Sequence, residues 1–389
     1  MIQLDYHLPT KSFYYRGKKQ LTWGYHQVPL PFPPSHSNCI RFSMIEQAGK
    51  IGPLVGILTN THSKRPFGGN LDYFQSIQIK MLAKGGLSFV FTSERMKKNS
   101  IIGWMYVDKK WVEAIFPYPN MVYNRISSPA IENKPSTKEA FKKLQTEKIP
   151  YFNPSFFNKW EITQLLQKET TLHPFLPETI LFQTKQQAAA FVEKHRHIYI
   201  KPVYGNKGNG IFTLKKKNNH YTLQSHQFKS DALPFQSCWN ILNPYLQKEP
   251  YILQKSVRLQ TYNNCIFDFR VLAQKINLNW IITGIGIRMA KEKGITTHVP
   301  KGGTVFPLNA VKPPINFHIV HMLIKNSAAI LEKNYDNVKE FSMDIGRDKE
   351  GNYSIFEINA KPMSFDEKNI QAKRMNNLIN IFFHESGFQ

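Results

Sequence analysis

Phe341 to Met363, FSMDIGRDKEGNYSIFEINAKPM, is the stretch that leaves the chain least freedom. Two alternating runs flank a tight polar turn, Asp348-Lys349-Glu350-Gly351-Asn352. Alternation puts Ser342, Asp344 and Gly346 on one face of the first strand, and Ile355, Glu357 and Asn359 on one face of the second. Antiparallel pairing then sets Asp344 beside Glu357 and Asn359: two carboxylates and an amide oxygen among Ile, Met and Phe. Hard oxygen donors of this kind suit Mg²⁺, which takes one or two carboxylates together with waters and substrate phosphates. An ordinary hairpin with its acids in water carries the same pattern.

A chain of 389 residues, 41% hydrophobic and 13% aromatic, has enough apolar surface for a folded globule of two or three domains. No apolar run reaches the length of a membrane span, and the N-terminus lacks a basic-then-apolar signal pattern. Cys39, Cys238 and Cys265 have neither metal spacing nor a disulfide framework, which fits a reducing, intracellular setting. The 51 basic residues against 27 acidic ones attract polyanions: nucleic acid, acidic polymers, anionic assemblies or nucleotides. The lysines are scattered and no nucleic-acid-binding signature accompanies them.

Residues 1–50 are aromatic and basic and predict short strands, a small β-rich module or an attachment arm. Their Pro-rich piece, Val28 to Ser35, reads as a semi-rigid connector. From residue 51 a strand (GPLVGILTN), a helix over Asn70–Lys84 closed by Gly85-Gly86, and a strand (LSFVF) predict a small parallel α/β layer to about residue 135. No glycine fingerprint follows the first strand, so no dinucleotide site is assigned, although Gly68-Gly69 would let a ligand approach. Arg125 stands at the end of a further strand, MVYNR, where it either meets a ligand at the carboxyl edge of the sheet or faces water.

Beyond residue 136 the polar residues become ordered. His197–Pro202, HIYIKP, is a strand with Tyr199 and Lys201 on one face. It runs into Gly205-Asn206-Lys207-Gly208-Asn209-Gly210, a loop whose backbone N–H groups can come close to phosphate oxygens, or a plain glycine-rich turn. It lacks the order of a P-loop. YILQK, residues 251–255, is a strand whose edge can hold an adenine ring. Ile266–Gln274 and Trp280–Met289, turned at Asn277-Leu278-Asn279, aim Arg270 and Arg288 toward one cleft, in forks suited to phosphate or carboxylate. Lys301-Gly302-Gly303-Thr304 then reads as a mobile basic loop able to close over a ligand, or as an inert turn.

A strand ending in Lys-Pro, a glycine-rich loop, an adenine-edge strand, an Asp-x-Arg strand, a second Arg strand and an Asp…Glu-x-Asn hairpin, in that order, resemble the ATP-grasp superfamily over about Lys159 to Met363. Within it, Asn158-Lys159-Trp160, LPET, IKPVYGNKGNGI, FDFRV and FEINAKP resemble the YheC/YheD-type endospore coat-associated family. The resemblance implies an α/β (α+β) protein: an ATP-grasp fold in residues 136–389, preceded by a pre-ATP-grasp α/β domain (51–135) and the β-rich segment (1–50). It implies ATP held through Lys159 and Lys201, a phosphate lid at Gly205, Asn206, Lys207, Gly208 and Gly210, and an adenine hinge at Gln254 and Lys255. Arg270 and Arg288 would act on transferred phosphate or the substrate carboxylate, and Asp344, Glu357 and Asn359 would hold Mg²⁺. Many ATP-grasp enzymes carry an acid at the hinge for the ribose; here Gln254-Lys255-Ser256 stand there, which puts ribose contact in doubt.

The superfamily's usual chemistry joins a carboxylate to an amine or thiol through an acylphosphate and requires no serine, histidine or cysteine nucleophile. The expected partners are ATP, a carboxylate and an amine of unspecified identity, and spore coat components. A different class of reading keeps the ATP-grasp scaffold with little or no catalysis, as a coat-associated structural protein attached through its basic surface. Nucleic-acid binding is a third, which steep salt dependence would mark.

Overall fold

The computed structural model describes residues 1–389 apart from 34–38, 206–207, 293, 298, 300–301 and 389. Among the described residues, four sheets carry the architecture. The first joins short strands of residues 2–52; the end of the Pro-rich piece, 34–35, lies outside the described residues.

The second sheet has a parallel centre. Leu54–Thr59 pairs in parallel with Leu87–Thr92 and with Met121–Asn124, and Tyr151–Phe152 extends it. Leu54–Thr59 and Leu87–Thr92 are buried along their whole length, as expected of strands covered on both faces. The Leu71–Ala83 helix joins them, capped by the Asn70 side chain on Tyr73 N–H. The Lys368–Glu385 helix shares its core: Met375, Leu378, Ile379 and Phe382 pack with Val55, Ile57, Phe74 and Ile77.

The third sheet is antiparallel, ordered Thr179–Leu181, Tyr251–Lys255, His197–Pro202, Phe212–Lys217, His220–Gln224. The Lys185–His195 and Phe235–Leu246 helices share a core with it through Phe191, Val192, Cys238 and Leu242. The fourth is also antiparallel: Thr304–Phe306, Asn279–Met289, Cys265–Ile276, Glu340–Arg347, Tyr353–Asn359. The Phe317–Asn334 helix packs Val320, Leu323, Ile324 and Leu331 into its apolar side, against Phe269, Val271, Met343 and Ile345. Since side chains alternate along a strand, the opposite side of this sheet carries Asp268, Arg270, Arg288, Asp344 and their neighbours.

The hairpin departs from strict alternation at one point. Asp344 pairs with Glu357 and Ile345 with Ile355, so Phe356 is an extra residue. One extra residue flips the alternation. Ile355 therefore joins the hydrophobic core, whereas Phe356 and Glu357 both line a cleft. The expectation that Ile355 shares a face with Glu357 and Asn359 is corrected accordingly. The three cysteines are free, and no helix among the described residues is long and apolar enough to cross a membrane.

Candidate functional site

A cleft of about 1070 Å³ opens between the third and fourth sheets. One wall carries Tyr199, Lys201, Gln254 and Lys255; the other carries Asp268, Arg288, Asp344 and Glu357. Six sequence-predicted residues, Lys201, Gln254, Lys255, Arg288, Asp344 and Glu357, thus meet in one place, delivered by strands of two different sheets.

Register explains the second wall. Asp268 pairs with Arg288, Arg270 with Gly286 on one side and Asp344 on the other, and Asp344 with Glu357. Asn359 stands two residues on, opposite Ser342. Arg288 bridges two acids: its Nη2 lies 2.8 Å from Asp344 Oδ1 and 3.2 Å from Asp268 Oδ1. Burial alone would lower the Arg288 pKa, but the two carboxylates outweigh it and hold the guanidinium charged. Asp268 is itself pushed upward, first by burial and then by the neighbouring Asp344 charge, against the pull of Arg288. It also accepts a hydrogen bond from Thr297 Oγ1.

Lys159 enters from the first turn of the Lys159–Gln167 helix. Asn158 caps that helix by accepting from the N–H groups of Trp160 and Glu161. The Lys159 backbone N–H bonds to Val203 O, which seats the helix end against the strand leading into the glycine-rich loop. From there Lys159 Nζ donates to Glu357 Oε1 at 2.6 Å and to Gly205 O at 2.8 Å. Lys201 Nζ donates to Gln254 Oε1 at 2.6 Å, and Gln254 Nε2 donates to Thr179 Oγ1 at 3.1 Å. The ammonium also lies over the rings of Tyr199 and Phe356. Burial brings the Lys201 pKa down to about 8, with Glu357 opposing that shift.

Gly208 and Gly210 have φ of +70° and +69°, a left-handed backbone that glycine adopts without strain. Asn206 and Lys207 lie outside the described residues, as does Lys301 of the basic loop. Gln254 is buried and Lys255 exposed, so the two hinge positions present different side chains to the same cleft. The two predicted arginines stand on the same side of the fourth sheet. Both border a small cavity of about 100 Å³. Arg288 also reaches the large cleft, whereas Arg270 reaches a second cleft on the far side of Glu357, which Asn359 lines as well.

Asp344 and Glu357, facing each other across two strands with the Asn359 oxygen nearby, form a donor set that fits Mg²⁺ and phosphate oxygens. No cluster of three His, Cys, Asp or Glu side chains suited to a metal occurs among the described residues, so phosphates and waters would have to complete the shell.

The family model described as YheC/D like ATP-grasp matches residues 148–383. The chain belongs to the YheC/D-like ATP-grasp family. It is 30% identical over 361 residues to endospore coat-associated protein YheD of Bacillus subtilis, covering 87% of this chain and 78% of that one. Endospore coat-associated protein YheC of the same organism is 23% identical over 267 residues, covering 65% and 73%. Among solved structures, D-alanyl-alanine synthetase A from Vibrio cholerae superposes with a TM-score of 0.55 at 12% identity, covering 86% of this chain and 99% of that one. The ATP-grasp ligase PsnB complexed with minimal precursor gives 0.53 at 12%, with the same coverages. VanG D-Ala:D-Ser ligase from Enterococcus faecalis gives 0.50 at 11%, covering 86% and 98%. At these identities the structural likeness establishes the ATP-grasp fold of this YheC/D-like chain.

Within this family member, sequence reading passed over Asp268, Thr297 and Phe356 as site residues. Asp268 carries a sequence signal as the first member of Asp-x-Arg, two residues before Arg270 and on the same face of the strand. Phe356 had no such signal, because only the bulge turns it toward Lys201.

Proposed function

We propose that this chain is an ATP- and Mg²⁺-dependent ligase that joins a carboxylate to an amine, acting in association with the endospore coat. The observation that carries the reading is the cleft between two sheets in which Lys201 faces Asp344, Glu357 and Arg288, with Lys159 bonded to Glu357 at its edge. Phosphoryl transfer asks little covalent chemistry of a protein; it asks for positioning and for charge placed where charge develops.

In this reading Lys159 and Lys201 hold phosphate oxygens, the 205–210 loop lies over them, and the Tyr251–Lys255 strand edge takes the base. Asp344, Glu357 and Asn359 would hold Mg²⁺, which when bound neutralises phosphate charge. The substrate carboxylate attacks the γ-phosphorus and ADP leaves. The amine then attacks the acyl carbon of the acylphosphate and loses a proton as inorganic phosphate leaves, so that carboxylate, amine and ATP yield amide, ADP and phosphate. Arg288 and Arg270 sit on either side of that path. Residues 136–389 would supply the nucleotide site, residues 51–135 a wall for the second substrate, and residues 1–50 an attachment module. The coat setting comes from the names of the B. subtilis relatives.

A second reading, a coat-associated scaffold with weak or no turnover, is favoured by the formal net charge of +24, which suits an acidic assembly. Calorimetric titration of ATP, with and without Mg²⁺, decides between them. Mg²⁺-dependent binding to the wild type that is lost in Asp344→Ala supports the ligase; absence of binding to folded wild type supports the scaffold.

A further inference from the structure

The second cleft, about 630 Å³, shares Lys159, Gly205, Glu357 and Asn359 with the proposed phosphate and metal site and extends beyond them toward Asn60 and Arg125. It lies at the carboxyl ends of two adjacent parallel strands: Asn60 follows Leu54–Thr59 and Arg125 follows Met121–Asn124. Such ends are where open α/β sheets receive ligands. Across the cleft stand Arg270 and Asn359 of the fourth sheet; Glu357, which lines both clefts, forms the border with the nucleotide cleft, and Lys159 is bonded to it from this side.

The polar groups here are under-used. A guanidinium carries five N–H donors. Among the described residues, Arg270 makes one hydrogen bond, to Ser342 Oγ at 3.4 Å, and its buried Nε has none. Arg125 makes one, to Pro362 O at 3.1 Å, and its Nη1 stops 3.9 Å from Glu340 Oε1. Both are held in place by aromatic rings, Arg270 over Phe365 and Arg125 over Tyr73 and Tyr123. Asn60 spends its amide N–H on Thr61 O and leaves Oδ1 buried without a donor. Two fixed cations short of acceptors and one amide oxygen short of a donor share a single cavity. Arg65 and His62 stand exposed along it, and Phe156 and Tyr73 add apolar wall.

We infer that this cleft takes a short peptide with a free carboxylate. The carboxylate meets Arg270, a main-chain carbonyl meets Arg125, and a peptide N–H meets Asn60 Oδ1. The volume lies inside the roughly 300–1,000 Å³ of small-molecule sites, which leaves room for several residues rather than one amino acid. The orientation of the carboxylate rests on the nucleotide reading, because it is Lys159 and Glu357 that mark the phosphate side.

The test is a titration of the full chain with a pool of Xaa-Glu-Xaa tripeptides carrying free carboxylates, read by saturation-transfer NMR and calorimetry, against the same pool with every carboxylate amidated. The wild type is expected to bind the acid pool and not the amide pool. Arg125→Gln is expected to weaken binding about tenfold, the effect of one charge-assisted hydrogen bond. Arg65→Glu, at an exposed position, should weaken it in the same direction and covers the case in which Arg125→Gln fails to fold. No binding to the wild type, equal binding of acid and amide pools, or binding unchanged in both variants overturns the inference. A MgATP titration of the same wild-type sample separates the two readings: peptide binding without ATP binding keeps the cleft and removes the nucleotide site, and the reverse result removes the cleft.

Discussion

Lys159 Nζ stands 2.6 Å from Glu357 Oε1, so one ion pair ties the first turn of a helix to the strand that divides two clefts. Their side chains are only 12% and 15% exposed. Screening by water is weak there, and the pair holds both groups at the place where phosphate would arrive. Glu357→Gln keeps the shape and removes the charge. MgATP affinity is expected to fall at least tenfold, while the melting temperature moves by only a few degrees because Lys159 retains Gly205 O. Calorimetry and a thermal melt check both halves; an unchanged Mg²⁺ requirement would remove Glu357 from the site.

Arg288 is shared between Asp344 and Asp268, yet the two acids occupy different places in the proposed chemistry. Asp344 faces Glu357 across the hairpin, and Asp268 leans on Thr297. Asp344→Asn should therefore abolish Mg²⁺-dependent ATP turnover, a loss of at least a hundredfold, of the size seen when an electrostatic contact to the transition state is removed. Asp268→Asn should leave the Mg²⁺ dependence intact and lower turnover less, since Arg288 keeps Asp344. Steady-state phosphate release across a range of Mg²⁺ concentrations distinguishes the two. Equal effects would mean that the three residues act only as one structural cluster.

Much of this site was legible because strand alternation fixes which residues share a face. The Asp344–Glu357 pairing, the Tyr199–Lys201 face and the Arg270 and Arg288 strands all follow from period two, and the register agrees. Alternation failed at Phe356, where one inserted residue shifts the pattern and leaves no mark in composition. It also could not foresee that Arg270 and Arg288 border different large clefts, since that depends on how sheets pack. The Phe317–Asn334 and Lys368–Glu385 helices were not assigned from the sequence. The second of them packs against strands some 300 positions earlier in the chain, a relationship that no local pattern encodes.

Burial sets the Lys201 pKa at about 8, against an ordinary 10.5. A lysine lowered in this way is penalised in its charged form, so the folded state holds fewer protons than the unfolded one. The penalty is present below about pH 8 and is relieved as pH rises from there toward 10.5, with stability rising over that window. Nucleotide binding has the opposite preference, because phosphate favours the ammonium. ATP binding at about pH 8.5 is therefore expected to take up part of a proton, and affinity to fall about tenfold between pH 7 and pH 9. Calorimetry in two buffers of different ionisation enthalpy reads the uptake. It should vanish at about pH 6.5 and in Lys201→Met; uptake that persists in the variant would assign the proton elsewhere.

Glu340 and Arg374 are both 0% exposed, with Arg374 Nη2 3.0 Å from Glu340 Oε1 and Nε 3.2 Å from Oε2. Burial pushes the Glu340 pKa upward, but the charges of Arg374 and Arg125 prevail and it is held below the usual carboxylate range. Tyr123 Oη donates to the same carboxylate at 2.5 Å and Asn153 Nδ2 at 3.4 Å. Tyr123 belongs to the second sheet, Glu340 to the fourth and Arg374 to the C-terminal helix, so one buried charge joins three elements around the second cleft. Removing one partner strands the other without water. Glu340→Leu is expected to cost about 3–5 kcal/mol, and Arg374→Met a similar amount. The double variant should recover much of that loss, because an apolar pair leaves no uncompensated charge. Urea unfolding of the four proteins measures the coupling. If the double variant loses the sum of the two single losses, the pair adds nothing of its own and the stability lies in the surrounding apolar packing of Tyr123, Phe152 and Phe382.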